Sequence, residues 1–205
     1  MDVHEFQFEE DQHVYRDGRG IVRPSVTQAL SMAGIFDFSM VPPDVLENAR
    51  RRGTNVHRYT AEFDRSGDLD PTWLLEDELP YYEAWLKFRS ESGCKIVEIE
   101  QPMMKTVAGI VVGGTPDRVA FFGANKYVLD LKCCSSSHPG WALQTALYAM
   151  MLTDVPHTEY MGRMSVQLFP TGNYKTIVYD NPSDATAALA TLTLAVWKIT
   201  HNLKH

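Results

Sequence analysis

The sequence predicts an α/β protein: a mixed, mainly antiparallel central sheet flanked by helices, preceded by an N-terminal β-hairpin and a helical subregion. Three observations predict it. Capped helix signals fill residues 24–92, after a hairpin signal. Apolar–polar alternation typical of strands fills residues 93–180, interrupted by an apolar helix signal. A final amphipathic stretch, 181–205, reads as a closing helix. Helices before, within and after a set of strands pack as layers on a sheet. No linker or repeat divides the chain, so one domain is expected over 1–205.

Each element has its own signal. "HVYRDGRGIVR" alternates apolar and polar residues around a D-G turn, which reads as a hairpin. "PSVTQALSMAG" reads as a helix with Ser25 as N-cap, Gln28 at the capping-box position and Gly34 as the stop. A second helix is expected from about Pro43 to Arg65, with Gly53 inside it. A third is expected to start near Pro71 and to carry Trp73, Leu74, Tyr82, Trp85 and Phe88. "CKIVEIEQPMM" alternates Ile96, Glu98 and Glu100 against Val97, Ile99 and Gln101, as one strand would. "VAGIVVGGTPDRVAFF" and "KYVLDLK", joined by the turn "GANK", complete a trio. "PGWALQTALYAMML" is an apolar helix with Pro139 suited to its first position. "RMSVQLFP" and "YKTIVY" form another hairpin. The last helix is expected to be capped by Asn181, with Pro182 at N1 and Asp184 at the positive dipole end. Its apolar stripe is Leu189, Leu192, Val196, Ile199 and Leu203.

Bulk properties narrow the function classes. The hydrophobic share of 44% and charged share of 22% are ordinary for a globular chain of 205 residues. No stretch approaches the ~20 apolar residues of a membrane span, so no membrane partner is expected. The N-terminus lacks the basic and apolar regions of a signal peptide. Three cysteines, two of them adjacent, make a poor disulfide framework, so a cytoplasmic, reducing compartment is expected. A net charge of −7 argues against simple coating of nucleic acid. It leaves room for an enzyme with a local basic path and several carboxylates.

The chemistry-bearing residues cluster in the strand region. Val128, Asp130 and Lys132 share one face of their strand; Leu129, Leu131 and Cys133 share the other. Asp117, Val119 and Phe121 share a face of the preceding strand. Pairing through "GANK" brings Asp117 near Asp130. Two crowded carboxylates repel each other unless a cation lies between them, and hard oxygen donors suit Mg2+ or Mn2+. Lys132 points into the same space and can orient a water or steady developing negative charge. Gln144 and Tyr148, at i and i+4 of the helix that follows, can look back over this site.

Pro116-Asp117, twelve residues, then Asp130-Leu131-Lys132 resembles the PD-(D/E)XK nuclease signature. "RRGTNVH", with Gly53 and His57, resembles the Gly-x-x-x-His helix motif of its RecB-like branch. "QTALY" resembles the Q-x-x-x-Y motif of that branch, and "VRPSVTQAL" a segment common in its phage-type and mitochondrial-genome-maintenance-type exonucleases. The resemblance covers roughly residues 13 to 170. It implies a restriction-endonuclease-like core over 93–180 and a metal-dependent deoxyribonuclease, an exonuclease on single-stranded DNA ends. It implies Asp117, Asp130, His57 and the Leu131 backbone carbonyl as ligands of Mg2+ or Mn2+, with Asp117, Asp130, Lys132, Gln144 and Tyr148 catalytic. Glu100 is a further acidic candidate, with Glu98 on the same expected face. Relatives with an iron–sulfur cluster carry four cysteines; this chain has three, differently spaced, and no cluster is expected. A phage or mobile-element origin fits the N-terminal segment.

Other readings stand beside these. Asp130 and Lys132 read alone as an exposed ion pair, His57 as a structural histidine and Tyr148 as packing. Arg50, Arg51, Arg52 and Arg58 are either a solvated helix face or a phosphate guide; Gln144 and Tyr148 are also candidate substrate contacts. Trp73, Tyr81, Tyr82 and Trp85 are expected in the core, with one or two able to stack bases. Cys133 and Cys134 beside His138 raise a thiol nucleophile, with no base positioned for it. For the whole protein, a structure-specific endonuclease and an inactive nucleic-acid-binding module are the alternatives. The sequence specifies no protein partner, strand polarity or DNA-versus-RNA preference.

Overall fold

The computed structural model describes residues 5–10, 12–153 and 161–203. The expected domain limits at residues 1 and 205 lie outside the described residues. The chain starts with a three-stranded antiparallel sheet: β1 (Phe6–Glu9), β2 (Val14–Asp17) and β3 (Val22–Arg23). The expected hairpin is β2–β3, and β1 is an addition to it. Asp17 closes the turn: its carboxylate accepts the Arg19 and Ile21 N–H groups, each at 3.0 Å, and the Arg23 guanidinium.

Helix α1 (Val26–Met32) has the expected capping box, Ser25 and Gln28 each accepting the other's backbone N–H. Helix α2 (Pro43–Ser66) stops at Gly67, whose φ of 78° suits glycine. The third helix starts later than expected. Pro71–Trp73 form one 3₁₀ turn, and α3 (Leu79–Ser92) begins only after the buried Glu78 carboxylate has accepted the Leu75 N–H.

The expected strand trio is five strands in two sheets. They are β4 (Lys95–Ile99), β5 (Met103–Val107), β6 (Ile110–Gly114), β7 (Arg118–Phe122) and β8 (Asn125–Cys133). A bulge between Ile96 and Glu98 and a φ of 46° at Glu100 break the expected "CKIVEIEQPMM" strand and its alternation. The second expected strand breaks at Thr115–Asp117, because Pro116 has no N–H for a ladder. β5 and β6 pair as a separate hairpin.

After β8 come α4 (Gly140–Thr153), β9 (Gly162–Leu168), β10 (Tyr174–Val178) and α5 (Ser183–Thr200). The central sheet has five strands in the order β10-β9-β8-β7-β4. Among the described strands of this sheet only β8 and β9 run parallel, so their connection must cross over, and α4 makes the crossing. The result is α/β, with a mixed central sheet flanked by helices.

Strand alternation sorts the core into two layers. Val128 faces α4 and α5 with Leu147, Met150, Met151 and Leu192. Leu129 and Leu131 face α2 and α3 with Val56, Trp85 and Phe88. Helix α5 ends at Thr200, short of the expected 205, and buries a stripe nearer its start than expected: Ala185, Ala188, Thr191, Leu192 and Ala195. Small residues let it lie close on α4 and α1. Ile199 in its last turn is exposed, and so is Leu203, which lies beyond the helix end at Thr200. There Lys198 Nζ donates to the Met32 carbonyl at 2.8 Å and caps α1. Asn181 accepts the Ser183 N–H as expected, with the helix starting one residue after Pro182. Tyr81, Tyr82 and Trp85 are buried as expected, but Trp73 is 64% exposed. Among the described residues no helix is long and apolar enough to cross a membrane.

One close approach joins the N-terminal sheet to the rest. The Tyr15 ring lies flat on Gly113, where an added Cβ would come within 2.2 Å of it. Tyr15 Oη and Thr115 Oγ1 lie 2.5 Å apart. Gly113→Ala should therefore destabilise the protein by about 1–3 kcal/mol through overpacking. Thermal or urea denaturation checks this; a change under about 0.5 kcal/mol, the level of ordinary surface substitutions, would mean that Tyr15 moves aside freely.

Candidate functional site

The site forms where β7 begins. Asp117 is the last residue before that strand, and its two carboxylate oxygens face different elements. Oδ1 lies 3.2 Å from His57 Nδ1 on α2, and Oδ2 accepts the Leu131 N–H of β8 at 2.7 Å. The ladder between β7 and β8 stops at Arg118–Leu129. A residue's N–H and C=O in such a ladder face the same neighbour. The Leu131 carbonyl therefore also looks past the end of β7, towards Asp117.

Asp130 and Lys132 point from β8 towards α4. Lys132 Nζ is 2.8 Å from Asp130 Oδ2 and donates to Gln144 Oε1 at 2.9 Å. Gln144 Nε2 lies 3.5 Å from Tyr148 Oη and 3.4 Å from Thr27 Oγ1, both long contacts. The i, i+4 spacing thus puts Gln144 and Tyr148 beside Lys132, as expected from the helix that follows the strand. Ser165 Oγ, from β9, lies 3.4 Å from Asp130 Oδ2. Asp130 is almost wholly buried, so the pair is not an exposed surface contact.

The charges of these groups are strongly linked. Burial raises the Asp130 pKa, and Asp117 adds to the rise against the pull of Lys132. Burial also pushes Asp117 up, but His57, Lys132 and the Leu131 N–H together bring it below the usual carboxylate range. Burial lowers the His57 pKa, yet Asp117 and Glu100 outweigh it and the net shift is upward. Burial, then Asp130 and Asp117, push the Tyr148 phenol up, so it stays a neutral hydrogen-bonding group.

Glu100 and Glu98 separate at the bulge. Glu98 turns to Lys126 at 3.3 Å. Glu100 donates its N–H to the Asp117 carbonyl at 3.0 Å. Its carboxylate lies 3.5 Å from Arg118 and 3.8 Å from Arg65. A cavity of about 540 Å³ opens beside it, lined by His57, Asp117, Glu100, Arg58, Arg65, Phe8 and His13 among others.

The arginine run divides. Arg58 lines the cavity. Arg51 does not: it donates to the buried Glu78 at 2.5 Å and to Asp77 at 2.7 Å, tying α2 to α3. Arg52 also turns to α3, lying over the Tyr81 ring at 5.1 Å and 3.8 Å from Asp77. Arg50 is exposed. Of the four arginines, Arg58 is the one that lines the cavity, where it is joined by Arg65, which sequence reasoning passed over.

Other residues went unnoticed in the sequence. Arg118 is fully buried; it donates to Asp64 at 2.7 Å, to Thr60 at 3.1 Å and to the Asp117 carbonyl at 2.6 Å. It fixes the backbone of the neighbouring carboxylate. Its signal was the spacing of His57, Thr60 and Asp64, which places three polar residues on one face of α2. Thr27 and Ser165 carried no such signal. The thiol reading loses support: burial pushes Cys133 up to about 12, and His138 Nδ1 accepts the Gly140 N–H at 3.0 Å.

The donor set suits a hard divalent cation in kind: carboxylate and carbonyl oxygens with one imidazole nitrogen. Among the described residues no three His, Cys, Asp or Glu side chains converge as a finished metal cage. Instead His57 and Lys132 stand against the two carboxylates at 3.2 Å and 2.8 Å.

Arg50 and Arg51 give a clean contrast. Arg51→Ala leaves the buried Glu78 with less compensation and should cost about 1–3 kcal/mol of stability. Arg50→Ala should stay within about 0.5 kcal/mol of the parent. Chemical denaturation of both variants tests the assignment, which fails if they are equally stable.

No protein-family model and no curated protein matches the chain. Among solved structures it is similar to one described as "Crystal structure of SSO0001". The two share 16% identity, the likeness covers 73% of this chain and 71% of that chain, and the TM-score is 0.40.

Proposed function

We propose that the chain is a metal-dependent deoxyribonuclease with a restriction-endonuclease-like core, of the RecB-like PD-(D/E)XK type. The reading is an exonuclease acting on single-stranded DNA ends. One observation carries it. Two carboxylates, the buried Asp130 and the partly buried Asp117, stand at the end of the β7–β8 ladder beside an ammonium held by Asp130 and Gln144. A purely structural pair has no need of the second carboxylate, whose like charge beside Asp130 is unfavourable.

Asp117, Asp130, His57 and the Leu131 carbonyl would hold Mg2+ or Mn2+, with Glu100 as an outer carboxylate. When bound, such an ion polarises a phosphate oxygen and lowers the pKa of water. The chain's own groups do the rest. Lys132 orients the attacking water and steadies negative charge as that water adds to phosphorus and the P–O bond breaks. Gln144 keeps the ammonium in place. Tyr148, neutral and buried, braces Gln144. Arg58 and Arg65 offer cations to flanking phosphates along the cavity wall.

Gly53 adds support from the packing side. A glycine inside a helix costs about 0.5–1 kcal/mol relative to alanine. Nothing lies within 4 Å of a Cβ built there, so no neighbour in the chain requires it. It leaves bare backbone one turn before His57, where a polymer can come close.

Fluorescent single-stranded oligodeoxynucleotides test the reading. The parent should cut linear strands with Mg2+ or Mn2+, stop with a chelator and leave circular strands intact. Lys132→Ala should lose on the order of 10²–10³ in rate, and Asp130→Asn at least as much, with circular dichroism unchanged. Ca2+ should raise the thermal midpoint of the parent but not of Asp130→Asn. Wild-type cleavage by both variants would remove the site assignment; cut circles would point to an endonuclease.

Gly53→Ala separates folding from binding. It should gain about 0.5–1 kcal/mol of stability while cutting more slowly. A variant that is both stabler and fully active would show that no substrate passes over α2 there.

A further inference from the structure

Two cavities meet at Arg58. One is the site cavity beside Asp117 and His57. The other, about 450 Å³, is lined by Arg58, Tyr59, Glu62, Leu69 and Trp73. Its volume lies in the range of small-ligand pockets. Arg58 belongs to both, so a chain of linked groups can occupy both at once.

The second cavity displays an aromatic ring that the fold does not use. Tyr81, Tyr82 and Trp85 are buried, but Trp73 is 64% exposed. The turn that presents it is pinned, not loose. Tyr59 Oη donates to the Trp73 carbonyl at 2.9 Å, the Thr72 N–H donates to Asp70 at 2.9 Å, and the Trp73 N–H donates to the Asp70 carbonyl at 3.3 Å. Arg58 in turn lies over the Tyr59 ring at 4.9 Å and donates to its hydroxyl at 3.1 Å. The cation that faces the site is therefore held by the residue that anchors the tryptophan.

The lining identifies the class of occupant. Trp73, Tyr59 and Leu69 offer flat and apolar surface, which suits a planar ring. Glu62 is an acceptor and disfavours an anion, so the phosphate belongs on the Arg58 side. A hydrogen-bond donor on a base edge can meet Glu62. A nucleotide has this polarity: base in one cavity, phosphate at the arginine between them.

We propose that Trp73 is a base-stacking platform, seating a nucleobase of the single strand whose phosphate passes Arg58 towards Asp117. This rests on the nuclease reading and adds to it the residue that grips the strand away from the scissile bond. Base–aromatic stacking tolerates any base, so Trp73 sets strand affinity and preference for unpaired DNA, not sequence.

The test uses the full chain with a labelled oligodeoxythymidylate, binding in Ca2+ and cleavage in Mg2+. Trp73→Ala should weaken binding on the order of tenfold, with the loss in KM and not in kcat, and Trp73→Phe should recover most of it. A fully paired duplex should show little difference between the variants. Wild-type affinity in Trp73→Ala, with cleavage intact, overturns the platform and leaves the nuclease reading standing. So does a loss that Trp73→Phe does not restore. A parent that neither binds nor cuts the strand overturns both.

Discussion

Two like-charged carboxylates at one strand end, Asp130 buried and Asp117 partly so, govern this structure. Burial and the charge of Asp117 push the Asp130 pKa up, while His57, Lys132 and the Leu131 N–H hold Asp117 below the usual carboxylate range against its own burial. Burying one unpaired charge is costly, and a second of the same sign compounds the problem. The surrounding groups are arranged to offset it. His57 comes from α2, the Leu131 N–H from β8, and Lys132 from the same strand as Asp130. The interruption at Pro116 matters for the same reason, since it leaves Asp117 at a strand end where its oxygens are not screened by a ladder. The crossover through α4 then returns a helix directly over Lys132, so Gln144 follows from the parallel pairing of β8 and β9.

A second set of buried ions holds the frame around that point. Arg118 links β7 to α2 through Asp64, which Arg89 of α3 also engages. Arg163, fully buried on β9, donates to the Ala142 carbonyl at 3.0 Å and to Asp184 at 2.9 Å, joining α4 to the start of α5. Glu78 gathers Arg51 and Asn55 between α2 and α3. In each case one charge is shared between elements distant in sequence. Breaking one partner strands the other in the interior, so these pairs fix how the helices sit on the sheet. Apolar packing alone tolerates many arrangements.

Much of the fold and the gathering at the site was legible in the sequence, for physical reasons that differ by residue. Ser25 and Gln28 form a local motif whose geometry spans a single turn, so it can be read without knowing the rest. Asp130 and Lys132 share a face because strand period is two, and Val128 and Leu129 sort into opposite layers for the same reason. Alternation failed where one residue shifts the phase. The bulge before Glu98 turns Glu98 and Glu100 in different directions, and no pattern of apolar residues announces it. Partners that meet only through the tertiary fold were invisible. Arg51 looks like any arginine on a helix until Glu78 arrives from beyond a turn, and Trp73 looks like core until its helix starts late. The existence of α5 was read correctly, but it ends at Thr200 and its buried stripe lies nearer its start, so Ile199 and Leu203 were misplaced.

Gly113 and Gly114 sit side by side at the end of β6, and each is covered by a tyrosine from a different direction. Tyr15 of the N-terminal sheet rests on the first; Tyr148 of α4 and Met151 close on the second, where an added Cβ would be 3.0 Å from the Tyr148 ring. The sheet that walls the cavity with Phe8 and His13 and the helix that braces the ammonium thus share a single bearing. Force applied at the entrance reaches Tyr148 across two residues without side chains. The N-terminal strands are thus part of the packing that places Tyr148, and through it Gln144 beside Lys132.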